Sequence, residues 1–429
     1  MFRKDRSPFC NAWWVATVAC IAQGIHGEGF RNPPPGTFSL ARAGGRIAQI
    51  DNAEAAYHNP ANVVDLKSPE IEVSPTFVYL KVKEGDGNTQ TKDPFKYLPN
   101  AFFTTPLIEN KLSAGLAITA PFGLSNEWDR NKGRFVDANP ATSWRYNAPY
   151  FTELMTINAN PSISWRISDR VSVGAGLDLF WSQLTLKQLY PSLSMTIPGV
   201  GTFTSPESSF KAQGDGVGLG ANAGVTFNLT EKQRVAMTYR SPFSINYDGN
   251  LRFDEAPLGA TRESDFNSKV RYPTIISVGY GIDLTDTIRI ESDVEWVEFS
   301  RFHDLVVDAG ANNGNFPEAS RNIQENWDDT FTAGIAGDWK FAENWVARAG
   351  YQFYESPVPD ETFSPTIPDA NQHAFTVGLG YSTGHHRAEL SYGYIKYDNR
   401  NITSDVVPNF NGDYRMDVHL FAVSYAYAF

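Results

Sequence analysis

The sequence predicts an all-β fold, a 14-stranded antiparallel transmembrane β-barrel with an N-terminal hatch containing short helices. Three observations predict it. Apolar and small or polar residues alternate with period two over many segments. The joins between those segments alternate between tight turns and long loops. The chain closes on an aromatic strand that ends at Phe429. After the first few dozen residues, no stretch approaches the roughly 20 apolar residues of a membrane helix. A closed barrel is the other way to satisfy every backbone group in lipid.

The first segment reads as a leader rather than as fold. Arg3, Lys4 and Arg6 precede an apolar run from Ala12 to Ile21, and small residues follow to Gly27. This is the order of a cleaved secretory signal peptide, placed at 1–27. The run is short for an uncleaved anchor. Thr17-Val18-Ala19 ahead of Cys20 fits a lipoprotein signal poorly. Both cysteines, Cys10 and Cys20, lie in this leader. The exported chain is therefore expected to hold itself by pairing and packing, without disulfides. The acidic balance of the full sequence, 36 Lys and Arg against 48 Asp and Glu, argues against nucleic acid as a partner.

Residues 28–67 do not read as strand. Pro33-Pro34-Pro35, Gly44-Gly45 and an alanine-rich run closing on His58-Asn59-Pro60-Ala61 predict broken helical turns, suited to filling a lumen. The barrel is expected over 68–429. Its strands fall near 70–82, 99–106, 112–122, 151–167, 170–187, 212–228, 232–246, 269–283, 286–301, 326–340, 344–354, 372–382, 386–397 and 417–429. Along them one face is apolar, as in Phe375, Val377, Leu379 and Tyr381, or Phe421, Val423, Tyr425, Tyr427 and Phe429. The other is small or polar, as in Thr376, Gly378 and Gly380. Arg289, Glu291, Asp293 and Glu295 share such a face and read as pore lining. Short periplasmic turns and long external loops suit an outer membrane, and an even strand count returns both barrel ends to the periplasm.

Several motifs carry a family resemblance. They are Asn59-Pro60-Ala61, Ile118-Thr119-Ala120-Pro121-Phe122-Gly123-Leu124, Ile157-Asn158-Ala159-Asn160-Pro161-Ser162-Ile163 leading to Val173-Gly174-Ala175-Gly176-Leu177, and Asn222-Ala223-Gly224-Val225 with Thr238-Tyr239-Arg240-Ser241. In this order, with the terminal Phe429, the chain resembles the long-chain fatty-acid transporter family over nearly its whole length. Asn62 departs from the small or apolar residue usual after Asn-Pro-Ala. A basic residue to hold a fatty-acid carboxylate is not evident. The resemblance implies uptake of long-chain fatty acids, alkanes or aromatic hydrocarbons by energy-independent facilitated diffusion. It also implies a monomer; the terminal aromatic strand ending at Phe429 resembles the signal that the barrel-assembly machinery reads, and outer-membrane lipid is the expected surrounding partner.

Three groups of residues become candidates. Asn59, Pro60 and Ala61 would gate the hatch; the bland alternative is an ordinary turn. Pro121, Phe122 and Gly123 would kink the third strand, since proline cannot donate to the ladder, and the resemblance implies that such a kink opens the wall sideways; the alternative is that the strand ends there. Leu193, Met195, Ile197, Val200 and Phe203 would capture apolar substrate outside the cell; the alternative is packing among loops. Two rival functions share the barrel: a porin for polar solutes and a lipid-modifying enzyme. The enzyme needs a nucleophile and base, and the histidines are few and lie mostly in turns or loops. His385-His386 has no third ligand near in sequence, so neither a metal nor a cofactor is expected.

Overall fold

The computed structural model describes residues 28–139, 141–256, 261–309 and 321–429. The signal peptide predicted at 1–27 lies outside the described residues, as do parts of the long connections near 247–268 and 302–325. Fourteen strands close into an antiparallel barrel. They are β1 (Glu70–Val73 and Thr76–Glu84), β2 (Phe95–Leu98 and Ala101–Ile108), β3 (Leu112–Glu127), β4 (Phe151–Ser168), β5 (Val171–Tyr190), β6 (Ser208–Asn228) and β7 (Gln233–Arg240 and Phe243–Phe253). They continue as β8 (Glu263–Tyr272 and Ile275–Asp283), β9 (Ile288–Val297 and Asp304–Ala309), β10 (Arg321–Gln324 and Thr330–Ala342), β11 (Trp345–Tyr354), β12 (Gln372–Thr383), β13 (His386–Tyr397) and β14 (Gly412–Ala428). Glu70–Val73 pairs with β14 on one edge and β2 on the other, which removes every free sheet edge at closure.

The alternation settles which face meets lipid. Phe375, Val377, Leu390, Phe421, Val423 and Tyr425 are exposed outward, while Thr376, Glu389, Ser391, Ala422 and Ser424 are buried inward. Several strands outrun their predicted bounds. β3 continues to Glu127, β6 begins at Ser208 and β14 at Gly412. β7 and β8, expected to be unbroken, each fold at a proline, Pro242 and Pro273. Above those bends Phe243 stacks on Phe180 (3.8 Å) and on Tyr272 (4.3 Å), so the external half of β7–β8 leans into the lumen. Gly216 and Gly218 of β6 make room for it: a Cβ on either would meet Ile245 at 2.7–2.9 Å.

Residues 28–67 pack inside the barrel. They form two short helices, α1 (Thr37–Ala41) and α2 (Ala55–His58), and a 3-10 turn over Pro60–Asp65. Helices this short have little stability alone. Glu54 supplies what α1 lacks by accepting the N–H groups of Phe38 (2.9 Å) and Ser39 (2.8 Å).

Candidate functional site

The lumen is closed by an anchored plug. Glu291 of β9 is fully buried and accepts four hydrogen bonds from it: the N–H groups of Ile47 (2.8 Å), Ala48 (2.6 Å) and Gln49 (3.1 Å), and the Arg42 guanidinium (2.9 Å). Asp293 accepts the N–H of Arg46 (2.6 Å). Glu295 accepts from Arg31 (2.9 Å), Arg46 and Ser277 (2.9 Å). The three carboxylates predicted to line a wet pore therefore face the hatch. Their alternation placed them on the inner wall, but the inner wall here meets protein. At the periplasmic end Asp65 bridges Arg166 of β4 and Arg234 of β7.

Asn59, Pro60 and Ala61 are fully buried against β5 and β6. Asn59 Oδ1 accepts the N–H of Ala61 (3.0 Å), while its Nδ2 donates to Ile47 O (2.8 Å) and Thr226 Oγ1 (3.0 Å). The turn is thus tied to the plug and to the wall at once. Asn62, the departure from the family pattern, accepts from Thr226 (2.7 Å) and donates to Ala48 O (3.1 Å). The wall comes close enough only through glycine. A Cβ on Gly174 would lie 2.4 Å from Pro60 backbone, and one on Gly224 would lie 2.2 Å from Asn59 Oδ1. Burial and the nearby Arg46 hold the His58 imidazole down at about 3, so the neutral ring donates from Nε2 to Pro35 O (2.8 Å).

Pro121 does not end its strand. The β3–β4 register runs Thr119↔Asn158 and then Phe122↔Thr156, so Ala120 and Pro121 form a bulge opposite Ile157. On its other edge β3 pairs with β2 only up to Ala101↔Ile118. Contact with the connection before β2 resumes at Thr91↔Trp128. Between those points the N-terminal segment takes the vacant edge. Asn32 N–H donates to Pro121 O (2.9 Å), Gly123 N–H donates to Phe30 O (2.8 Å), and Asn32 Nδ2 donates to Ala120 O (2.8 Å).

Phe122 points into an aromatic cluster that also holds Phe30. The Phe30 ring lies 5.1 Å from Phe302, 5.3 Å from Trp327, 5.4 Å from Tyr272, 5.8 Å from Phe299 and 6.1 Å from Phe122. Below it a cavity of about 50 Å³ is lined by Arg31, Arg46, Tyr57, Arg240 and Glu295 among others. Its guanidiniums are engaged by Glu28, Glu295 and Asp178. Beside the cluster, Glu28 is buried with Thr330 and Arg31, and burial pushes its carboxyl up to about 7. Burial likewise pushes Asp369, which accepts the N–H of Gly29 (3.1 Å), up to about 7. Sequence reasoning missed Phe30, Glu28 and the β9 carboxylates as one assembly, since their partners lie hundreds of residues away.

The external loop expected to capture substrate is a hairpin of its own. Ser194–Ile197 pairs with Gly201–Thr204. Met195 faces Phe203 on one side, while Ser194–Thr204 and Thr196–Thr202 hydroxyl pairs (both 2.9 Å) mark the other. Leu193, Met195, Ile197, Val200 and Phe203 are all exposed, from 38% to 69%. Among the described residues no group of three His, Cys, Asp or Glu could hold a metal.

A closed barrel with a lipid-facing apolar band and an internal plug defines the class: a plugged outer-membrane barrel. The chain belongs to the outer membrane protein transport family (OMPP1/FadL/TodX), whose model matches residues 18–429. It is 23% identical to a long-chain fatty acid transport protein of Salmonella typhi, over 88% of this chain and 89% of that one. It is 22% identical to that of Escherichia coli K12, over 88% and 90%. In fold it is similar to a Pseudomonas aeruginosa FadL homologue (TM-score 0.78, 19% identity, 93% and 99% covered). It is also similar to the Pseudomonas putida toluene transporter TodX (TM-score 0.72, 17% identity, 92% and 99% covered).

Proposed function

We propose that this outer-membrane transporter takes up long-chain fatty acids or related hydrocarbons by energy-independent diffusion, with lateral exit through the barrel wall. The observation that carries this is the interrupted β2–β3 ladder at the Ala120-Pro121 bulge, closed by Phe30, Arg31 and Asn32 rather than by β2. Backbone groups facing lipid must be paired, and at this point the wall takes its partners from the plug's own N-terminal segment, so withdrawing that segment would open the wall. An apolar molecule is first held on the hairpin face of Met195, Ile197 and Phe203. Burial supplies roughly 0.8 kcal/mol per methylene, enough to concentrate an acyl chain without an energy source. The molecule then competes with Phe30 for the aromatic cluster. When the N-terminal segment withdraws, the β3 edge is freed and the molecule leaves between β2 and β3.

Support for the plug as gate lies in the Asn59-Pro60-Ala61 tie and the β9 carboxylates, which hold it to β6 and to β9. The engaged guanidiniums of the lower cavity favour a ligand without a strongly held charge. The test is uptake of oleate, hexadecane and toluene by cells producing the wild-type chain or a variant with Ala120 deleted. Deletion restores one-to-one register with β4 and is expected to slow uptake of all three. Unchanged uptake would remove the lateral route.

A further inference from the structure

On the lipid side of β13, β14 and β1 the side chains fall into rows set by the ladder register. Tyr392, Phe421 and Phe77 form one row, and Tyr394, His419 and Tyr79 the next toward the external end. Phe95 and Tyr97 of β2 extend them, with ring centroids 5.3 Å from Tyr79 and 5.6 Å from Phe77. Tyr392 and His419 are joined by a hydrogen bond of 2.9 Å. These rows are an aromatic girdle at the rim of the apolar band. Directly above them the chemistry changes. The next row is Lys396, Asp417 and Lys81, and the one above pairs Arg415 with Lys83.

All four cations point outward, alternating with buried Leu80, Val82, Ile395, Met416 and Val418. Lys83 stands directly opposite Arg415, and like charges facing each other across a ladder destabilise it. Asp417 is the neighbouring carboxylate in register, with Asp398 and Asp413 higher up. Asp413 accepts from Asn401, and Asp398 lies 3.6 Å from His373. None of the four cations joins an ion pair among the described residues. A second row of outward cations, Lys187, Lys211 and Arg252 on β5–β7, differs in having partners: Arg252 pairs with Glu263 (3.4 Å) and Lys187 lies over the Phe151 ring (4.6 Å).

We propose that Lys81, Lys83, Lys396 and Arg415 form a binding surface for the phosphate groups of the outer-leaflet glycolipid, whose acyl chains lie along the aromatic rows beneath. Charge complementarity and position commit the surface to a lipid headgroup. The cations begin where the aromatic girdle ends, on the strand ends that carry the long external connections. A phosphate bridging Lys83 and Arg415 would relieve their repulsion through charge-assisted hydrogen bonds.

The test uses the full chain purified in detergent, with diphosphoryl lipid A and its dephosphorylated form as probes. Binding is read by native mass spectrometry and by the rise in unfolding temperature. Wild type is expected to prefer the diphosphoryl form by at least about tenfold, since each cation near an anionic lipid contributes about fivefold. A K81Q/K83Q/K396Q/R415Q variant should lose that preference while still migrating as a folded barrel. A K111Q/K232Q variant, changed at the exposed periplasmic turns, should keep it. Equal binding of both probes by wild type, full preference in the quadruple variant, or equal loss in the control variant would each overturn the proposal. So would competition by millimolar inorganic phosphate, which would mark a free-anion site.

Discussion

Replacing Glu291 by alanine should release the plug. The side chain receives three backbone N–H groups, from Ile47, Ala48 and Gln49, and one guanidinium, from Arg42, all in a fully buried setting. Each stranded N–H costs about 1 kcal/mol at the low end, and an uncompensated buried guanidinium about 3 kcal/mol, giving about 6 kcal/mol. Asp338, 3.3 Å from Arg42, offsets part of the charge term. Water admitted to the lumen offsets more, so about 3 kcal/mol is a conservative figure. That shifts the ratio of released to seated plug by more than about a hundredfold. Hydrogen exchange at Ile47, Ala48 and Gln49 reads the release directly, and ion conductance in planar bilayers reads its consequence. Wild type should protect these amides and conduct little; E291A should exchange them fast and conduct in bursts. A folded E291A barrel with wild-type protection and conductance would refute the assignment of Glu291 as the anchor.

Other outcomes follow from the same geometry. Gly224→Val should displace Asn59 and raise conductance, because its Cβ would stand 2.2 Å from Asn59 Oδ1, whereas Val225→Ala on the lipid face should do neither. Leu193→Asp with Met195→Asp should cut uptake several-fold at low substrate concentration and much less at saturation, as expected for a capture step. The N-terminal segment should loosen as pH rises. Glu28 docks with its carboxyl near 7 against an ordinary 4.5, and Asp369 near 7 against 3.8. Between about 4 and 7 the docked state holds protons that the released state has lost, so docking weakens through that window and levels off above it. Exchange of the Gly29 to Asn32 amides should be slower at pH 5 than at pH 8, beyond the intrinsic pH effect. E28Q with D369N should flatten the difference.

The barrel was legible because lipid and lumen impose opposite demands on alternate residues. Phe375 and Thr376, or Val423 and Ser424, state their faces without any structure. The breaks at Pro242 and Pro273 were not read, since the apolar alternation continues on both sides of each proline and a proline in a strand does not say which way the chain bends. The inward turn follows from Gly216 and Gly218, whose missing side chains admit Ile245. The β9 carboxylates were legible as inward but not as anchors. A charge on an inner wall reads the same whether it meets water or a plug, and the plug residues lie more than 240 positions away. The kink at Pro121 was legible as an irregularity. Its closure by Phe30 and Asn32 was not, because backbone pairing carries no side-chain signature.

The claim beneath all of this is that the β3 edge beside Pro121 is a door for apolar solutes, held shut by the chain's own N-terminal segment. Crosslinking tests it most directly. A disulfide between cysteines placed at Asn32 and Ala120, whose side chain and carbonyl now meet at 2.8 Å, should abolish uptake of oleate and toluene under oxidising conditions and restore it on reduction. Undiminished uptake through the locked wall, with the crosslink complete, would contradict it.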